Sequence, residues 1–267
     1  MRYAPVAAAT GAYLNQMFQL ADVERGRLAA LVREVDVLLS ILVPAEATGL
    51  ADRVAATLRE TGATPLYVDC NAIAPQTVRG IGETILAAGG RFADAGIVGP
   101  PPKKDGTTRF YISGPGAAEC AVLTEHGLDV RLLGDEIGKA SGFKMCYAAL
   151  TKGLTALGTE LLVAARLLGI EAELRAEQEG SVPDLLASLM RSTPSMPPKA
   201  YRWVGEMEEI AKTFAALGLT PKILEGAAEH YAFVARTAIG RESPEERDRS
   251  RDLDGVVAAL ADAVNAR

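Results

Sequence analysis

The chain has 267 residues, 49% of them hydrophobic and 23% charged, enough for one large globular domain or two modest ones. Its 28 basic and 34 acidic residues leave a net charge of -6, which argues against a general nucleic-acid binder, because that affinity comes largely from basic surface. The three cysteines, Cys70, Cys120 and Cys146, are far apart and form no C-x-x-C pair, which excludes a disulfide framework or a zinc knuckle and fits a reducing cytoplasm.

In chain order, two regimes are read. From Val37 to Leu133 short β-rich runs alternate with helical ones. "VLLSIL" (Val37 to Leu42) is a strand, and "ADRVAATLRETG" (Ala51 to Gly62) is a helix stopped by glycine. "LYVD" (Leu66 to Asp69) is a strand, and "PQTVRGIGETILAAGG" (Pro75 to Gly90) a helix opened by proline and closed by glycines. Strands follow at Arg91 to Val98 and Thr107 to Ser113, joined by the proline-rich loop "GPPPKKDG". A helix at Ala117 to Gly127 and a strand at Val130 to Gly134 end this part. Alternation of this kind predicts a largely parallel sheet covered on both faces.

After Gly134 only helices are predicted: Ile137 to Gly169, Val182 to Arg191, Lys199 to Leu217, Pro221 to Ile239 and Leu253 to Ala266. "RSTPSMPP" (Arg191 to Pro198) is a break. Small residues crowd the long helix, and the propensity cost of Gly153 and Gly158 points to tight packing there. The fold class is therefore an α/β domain, residues 1–134, followed by an all-α domain, residues 135–267. No apolar run is read as long enough to cross a bilayer, and no signal-peptide pattern follows Met1, so a soluble cytoplasmic protein is expected.

Ligands of open parallel sheets sit beyond the C-terminal ends of the strands. Three loops qualify: "LVPAEA" (Leu42 to Ala47), "DCNAIAP" (Asp69 to Pro75) and "GIVGPPP" (Gly96 to Pro102). Asn71 fits either a helix cap or a ligand contact, and the glycines and prolines of the third loop fit a plain tight turn equally well. Lys144 stands among Phe143, Met145, Cys146, Ala148, Ala149 and Leu150, on what reads as the buried side of the long helix. A desolvated lysine is a proton acceptor near neutral pH, although most helical lysines are simply solvated. Lys152 is eight residues on, about 80° round the helix. His126 and His230, the two histidines, have no metal-ligand spacing around them. Arg202, in a polar and aromatic helix start, suits either an anion or a surface ion pair.

The ordered run "DVLLSILVP" (Asp36 to Pro44), "YVDCNAIAP" (Tyr67 to Pro75), "GGRFADAGIVGP" (Gly89 to Pro100), "YISGPG" (Tyr111 to Gly116), "LGDEIGKASGFKMC" (Leu133 to Cys146) and "YRWVGEMEEIA" (Tyr201 to Ala211) resembles the β-hydroxyacid dehydrogenases, relatives of 3-hydroxyisobutyrate and 6-phosphogluconate dehydrogenase. It looks most like the branch labelled putative phosphogluconate dehydrogenase, NAD-binding. The resemblance implies an oxidoreductase using NAD or NADP on a Rossmann domain, with a helical domain closing the cleft and a small-molecule substrate. It implies Lys144, in the G-x-x-K pattern, as the catalytic acid and base. It places Val43, Pro44 and Asn71 near the cofactor and Val98, Gly99, Pro100 and Lys152 near the substrate. It also implies a homodimer through the long helix; packing inside one helical domain is the alternative.

The chain departs from that family in three places. Ala148 stands where many members have Asn, and Val98, Gly99 and Pro100 replace a serine–glycine–glycine stretch that holds the substrate carboxylate. No G-x-G-x-x-G loop occurs near the start, where Gly11 and Gly26 are the glycines before Gly49. The Rossmann domain is therefore expected to lack its first strand and helix, with "APVAAAT" (Ala4 to Thr10) either a strand or part of a helix. The competing reading is a non-catalytic dimer or small-molecule-binding protein that has lost its dinucleotide grip.

Overall fold

The structure, a computed structural model, describes residues 25–100 and 107–266. The expected absence of the first strand and helix, the two readings of Ala4 to Thr10, and most of the proline-rich loop lie outside the described residues. The chain divides into two compact units whose sequence boundary falls between Tyr147 and Ala148.

The first unit is a five-stranded sheet in sequential order, β1 (Val37–Ser40), β2 (Leu66–Asp69), β3 (Arg91–Val98), β4 (Arg109–Ser113) and β5 (Asp129–Leu132). All neighbours are parallel except β3 and β4, which are antiparallel. The crossovers are α2 (Ala47–Thr61) between β1 and β2 and α3 (Pro75–Ala87) between β2 and β3, with α1 (Arg25–Glu34) ahead of β1. α2 ends as its glycine predicts, with Gly62 at φ +65° donating its amide to the Leu58 carbonyl.

Alternation along the strands sorts side chains to two cores. Tyr67 and Phe92 join Leu58, Val78, Ile81 and Ile85 from the helices, and Ile73 from the loop before α3, on one face. Leu66, Val68, Ala93, Ala95, Phe110 and Ile112 join Cys120 and Leu123 on the other. That second face is covered by residues 117–126, which wind as a 3-10 helix and not as the α-helix expected. Its buried residues, Ala117, Cys120 and Leu123, recur every three positions, the period of a 3-10 turn.

The long helix is α4 (Lys139–Leu168). The sequence reading that no run is long and apolar enough to span a bilayer needs amending. α4 meets that mark by length and by a mean hydropathy of 1.2, although 44% of the relevant stretch is buried within the protein. Its apolar residues are spread round the helix and interrupted by polar ones, so they form no unbroken apolar run in the sequence. Its first turns are built into the sheet unit, where Ser141 and Met145 are each 1% exposed.

The second unit continues along α4 and adds α5 (Glu171–Ser181), α6 (Pro183–Ser192), α7 (Ala200–Ala216), α8 (Lys222–Arg236) and α9 (Leu253–Asn265). α5 has no counterpart among the expected helices: it is mostly polar and buries none of its residues, so it carries no apolar period. Arg191 to Pro198 is a break, as expected, filled by two 3-10 turns, Thr193–Ser195 and Pro197–Lys199. Close packing of the small residues holds at Gly158, where an added Cβ would lie 2.4 Å from the Leu189 side chain. It does not hold at Gly153, whose nearest such neighbour is 4.0 Å away.

Candidate functional site

The sheet pairing places four polar residues on one rung: Ser40 opposite Asp69, Asp69 opposite Asp94, and Asp94 opposite Ser113. They stand on the face carrying Tyr67 and Phe92, at the C-terminal rim of β1 and β2, and all four are buried. Burying two carboxyls side by side costs free energy unless donors or a cation meet them. Here the donors come from the start of α4. Asp94 Oδ2 accepts from the Gly138 and Ser141 amides, both at 3.0 Å, and Asp94 Oδ1 accepts from the Ser141 hydroxyl at 2.7 Å. Ser113 donates its hydroxyl to Asp94 Oδ2 at 3.3 Å and accepts from the Ala140 amide at 3.0 Å. β3 and β4 thus cap the first turn of α4 jointly, an N-terminal cap supplied from a distant part of the chain. Burial holds the Asp94 pKa above the usual carboxylate range, against the pull of its donors from Ser141, Gly138 and Ser113.

This cap fixes Lys144, one turn further on. α4 lies directly on Gly96 of β3: a Cβ there would meet the Ala140 carbonyl oxygen at 2.8 Å and Lys144 Cβ at 3.1 Å. On the same pairing Gly96 faces Tyr111 of β4, whose ring lies 4.0 Å from that of Phe143. Lys144 is half-buried and not fully enclosed as its neighbours suggested; Phe143, Cys146, Tyr147 and Leu150 are exposed. The period of α4 turns Met145 and Ala148 inward and leaves the lysine at the margin.

The charge of Lys144 is felt by Asp69. The Asp69 carboxyl is pushed up to about 6, first by burial, then against hydrogen bonding from Asn71, with Asp94 raising it further and Lys144 lowering it. One of its oxygens accepts from the Asn71 amide at 2.9 Å; the other, Oδ2, is buried without a hydrogen-bond partner among the described residues. Burial also holds the Tyr67 phenol and the Cys70 thiol well above their ordinary ranges, with Asp69 adding to both.

Asn71 does not cap α3; the cap position is Ala74, which has no side-chain hydrogen bond to the helix. The Asn71 side chain goes to the neighbouring loop, accepting from the Leu42 amide at 2.5 Å and donating to Ser40 Oγ at 3.0 Å. Asn71 is thereby brought together with Val43 and Pro44, which open a 3-10 turn leading into α2. Val98, Gly99 and Pro100 lie at the end of β3. Gly99 has φ +115°, with the Thr107 carbonyl oxygen 2.4 Å from where a Cβ would sit, and the Pro100 carbonyl accepts from the Thr108 hydroxyl at 2.5 Å. Val98 is the last residue of β3, and the positive φ and crowded surroundings of Gly99 suit only glycine at the position that follows.

Lys152 belongs to the helical unit. It forms an ion pair with Glu206 and lies 5.3 Å from the centre of the Trp203 ring, while its carbonyl accepts from the Tyr231 hydroxyl at 2.6 Å. The site residues that sequence reasoning missed are Ser40, Asp69, Asp94, Ser113 and Ser141. A signal was present: β1, β2 and β4 each end on a single Asp or Ser. Among the described residues no group of three or more His, Cys, Asp or Glu is placed to hold a metal.

Residues 165–234 match a domain of unknown function, DUF1932. A curated relative, an uncharacterized 28.5 kDa protein from the 7S RNA 5' region of Methanothermus fervidus, is 28% identical over 144 residues; the match covers 54% of this chain and about half, 53%, of that protein. A conserved hypothetical protein from Sinorhizobium meliloti 1021 superposes with TM-score 0.66 at 25% identity, covering 88% of this chain and 77% of the other. A conserved protein of unknown function, described as structurally similar to 3-hydroxyacid dehydrogenases, is 30% identical with TM-score 0.59, covering 78% of this chain and 77% of that one. The chain belongs to the β-hydroxyacid dehydrogenase superfamily. A superfamily member of known activity, the 3-hydroxyisobutyrate dehydrogenase of Mycobacterium tuberculosis solved with L-serine, shares the fold at TM-score 0.63 and 18% identity, over 87% of this chain and 81% of that one. The Rossmann-like unit followed by helices is the arrangement of this superfamily.

Proposed function

We propose that the protein is an NAD(P)-dependent oxidoreductase that moves a hydride between nicotinamide and a small hydroxy acid, or the related carbonyl or imine, with Lys144 as general acid and base. The observation that carries this reading is the mounting of Lys144. Four donors to Asp94 and the bare surface of Gly96 set the register of α4, so the lysine reaches the rim of the sheet beside Asp69.

A bound nicotinamide supplies the hydride acceptor in one direction and the donor in the other. Val43, Pro44 and Asn71 would hold the cofactor, and their arrangement fits it. Asn71 ties the β1 loop to the β2 loop, and Val43 and Pro44, uncharged and half-buried, open the 3-10 turn that leads into α2. In oxidation, Lys144 Nζ takes the substrate hydroxyl proton as the carbon–oxygen bond becomes double. In reduction it returns that proton to the oxygen. A positioned proton donor of this kind contributes about 10²–10⁴-fold in rate. Val98, Gly99 and Pro100 offer the substrate no side-chain hydroxyl, so its recognition differs from that of hydroxyisobutyrate.

The reading includes a homodimer. Leu150, Leu154 and Leu157 form an apolar stripe on α4 and are 59%, 38% and 61% exposed, a surface that a second copy would cover.

Isothermal titration with NADPH and NADH tests the proposal. Micromolar binding of at least one is expected. Millimolar or absent binding of both would favour the competing reading, a non-catalytic binding protein on the same scaffold.

A further inference from the structure

The helical unit concentrates positive charge at one place that the reaction above does not use. Two 3-10 turns, Thr193–Ser195 and Pro197–Lys199, join α6 to α7. Lys199 donates to the Ser195 hydroxyl at 3.1 Å. Arg247, from the segment before α9, donates to the carbonyl of the adjacent residue, Pro194, at 3.3 Å. Both side chains are therefore anchored on one turn. Arg202 lies three residues beyond Lys199 and so on the same side of the helix start. Its guanidinium carbon is 6.0 Å from the centre of the Tyr201 ring, and its Nε is buried with no hydrogen-bond partner among the described residues. Lys152 approaches the group, and its pairing carboxylate is Glu206.

Like charges brought together in a partly buried place repel, and a chain with an excess of acidic residues has ample means to neutralise them. Here they are not neutralised by the first turn of α7, which contains no acidic residue, and Lys199 at its cap position offers no side-chain acceptor. The pKa of Lys199 is lowered, by burial first and then by Arg202, Arg247 and Lys152. None of these leading influences is a carboxylate. A buried N–H donor without a partner is costly to leave unmade, and guanidinium forks match the oxygens of carboxylate and phosphate.

We propose that Lys199, Arg202 and Arg247 form an oxyanion-binding site in the helical unit, for the phosphate or carboxylate group of a small ligand. The site stands on its own and does not depend on cofactor binding.

Calorimetric titration of the full chain with inorganic phosphate, and separately with acetate, at constant ionic strength in chloride tests it. Saturable binding of one is expected, and the arm that binds tells a phosphate ligand from a carboxylate. Lys199→Gln and Arg202→Gln should each weaken that binding at least tenfold, while Lys222→Gln, on exposed surface, leaves it unchanged. Without added anion the first two variants should melt at or above the temperature of the parent, because they relieve repulsion. A structural role would lower it. The proposal is overturned if neither anion binds saturably, if both variants bind as the parent does, or if both melt markedly lower.

Discussion

Two buried titratable residues shift in opposite directions, and their effects on stability can be separated. Asp69 is raised to about 6 by burial, so between the ordinary carboxylate value and that point the folded state holds the extra proton. Its contribution is therefore best in acid and is lost as pH rises through about 6, by roughly 3 kcal/mol. His230 is lowered to about 4 by burial, with Nε2 unpartnered among the described residues, so the unfolded chain holds the extra proton. Its contribution is present above the ordinary histidine value and is lost as pH falls through about 4, by a similar roughly 3 kcal/mol. Asp69 belongs to the sheet unit and His230 to α8. Denaturant melts from pH 4 to 7 should show Asp69→Asn flattening the decline of the sheet unit with rising pH. His230→Gln should flatten the rise of the helical unit. An unchanged pH slope in either variant would refute the corresponding assignment.

At the scale of elements, the decisive contact is α4 on β3. Gly96→Ala would drive a methyl against the Ala140 carbonyl and Lys144 Cβ, at a cost of about 1–3 kcal/mol, and would shift the lysine with the helix. Asp94→Ala should cost about 2–4 kcal/mol, because it leaves two amides and two hydroxyls of the cap without their acceptor. Urea melts measure both. Most elements were legible, because apolar runs of strand length and glycine stops are local signals; the Leu66–Asp69 and Arg91–Val98 strands match to the residue. What was not legible depends on long-range pairing. The Ser40, Asp69, Asp94 and Ser113 rung exists only once four strands are in register, and the cap of α4 comes from residues 27 and 47 positions away. Of the two readings of Asn71, the helix cap fails for the same reason: a local rule does not see its partners, Ser40 and Leu42, on the adjacent loop. The apolar neighbours of Lys144 in its own helix point to burial, but its half-buried position follows from how α4 lies on Gly96.

For the whole molecule, the reading requires a cofactor, a substrate and a second copy, each with its own measurement. Sedimentation equilibrium should give a dimer, and Leu157→Asp should shift it towards monomer by placing a charge in the stripe on α4. The family and the two-unit plan agree with the ordered motifs from Asp36 to Ala211, which carry information as a set that no single one carries. The substrate is a different matter, because Val98, Gly99 and Pro100 do not carry the serine–glycine–glycine stretch that the resemblance leads one to expect there. The most direct test is NADPH- and NADH-linked turnover across a panel of small hydroxy acids and their carbonyl counterparts, for the parent chain and Lys144→Ala. The account predicts turnover that falls about 10²–10⁴-fold in the variant, with the melting temperature unchanged. Equal turnover in the two proteins, or none in the parent with either nucleotide, would contradict it.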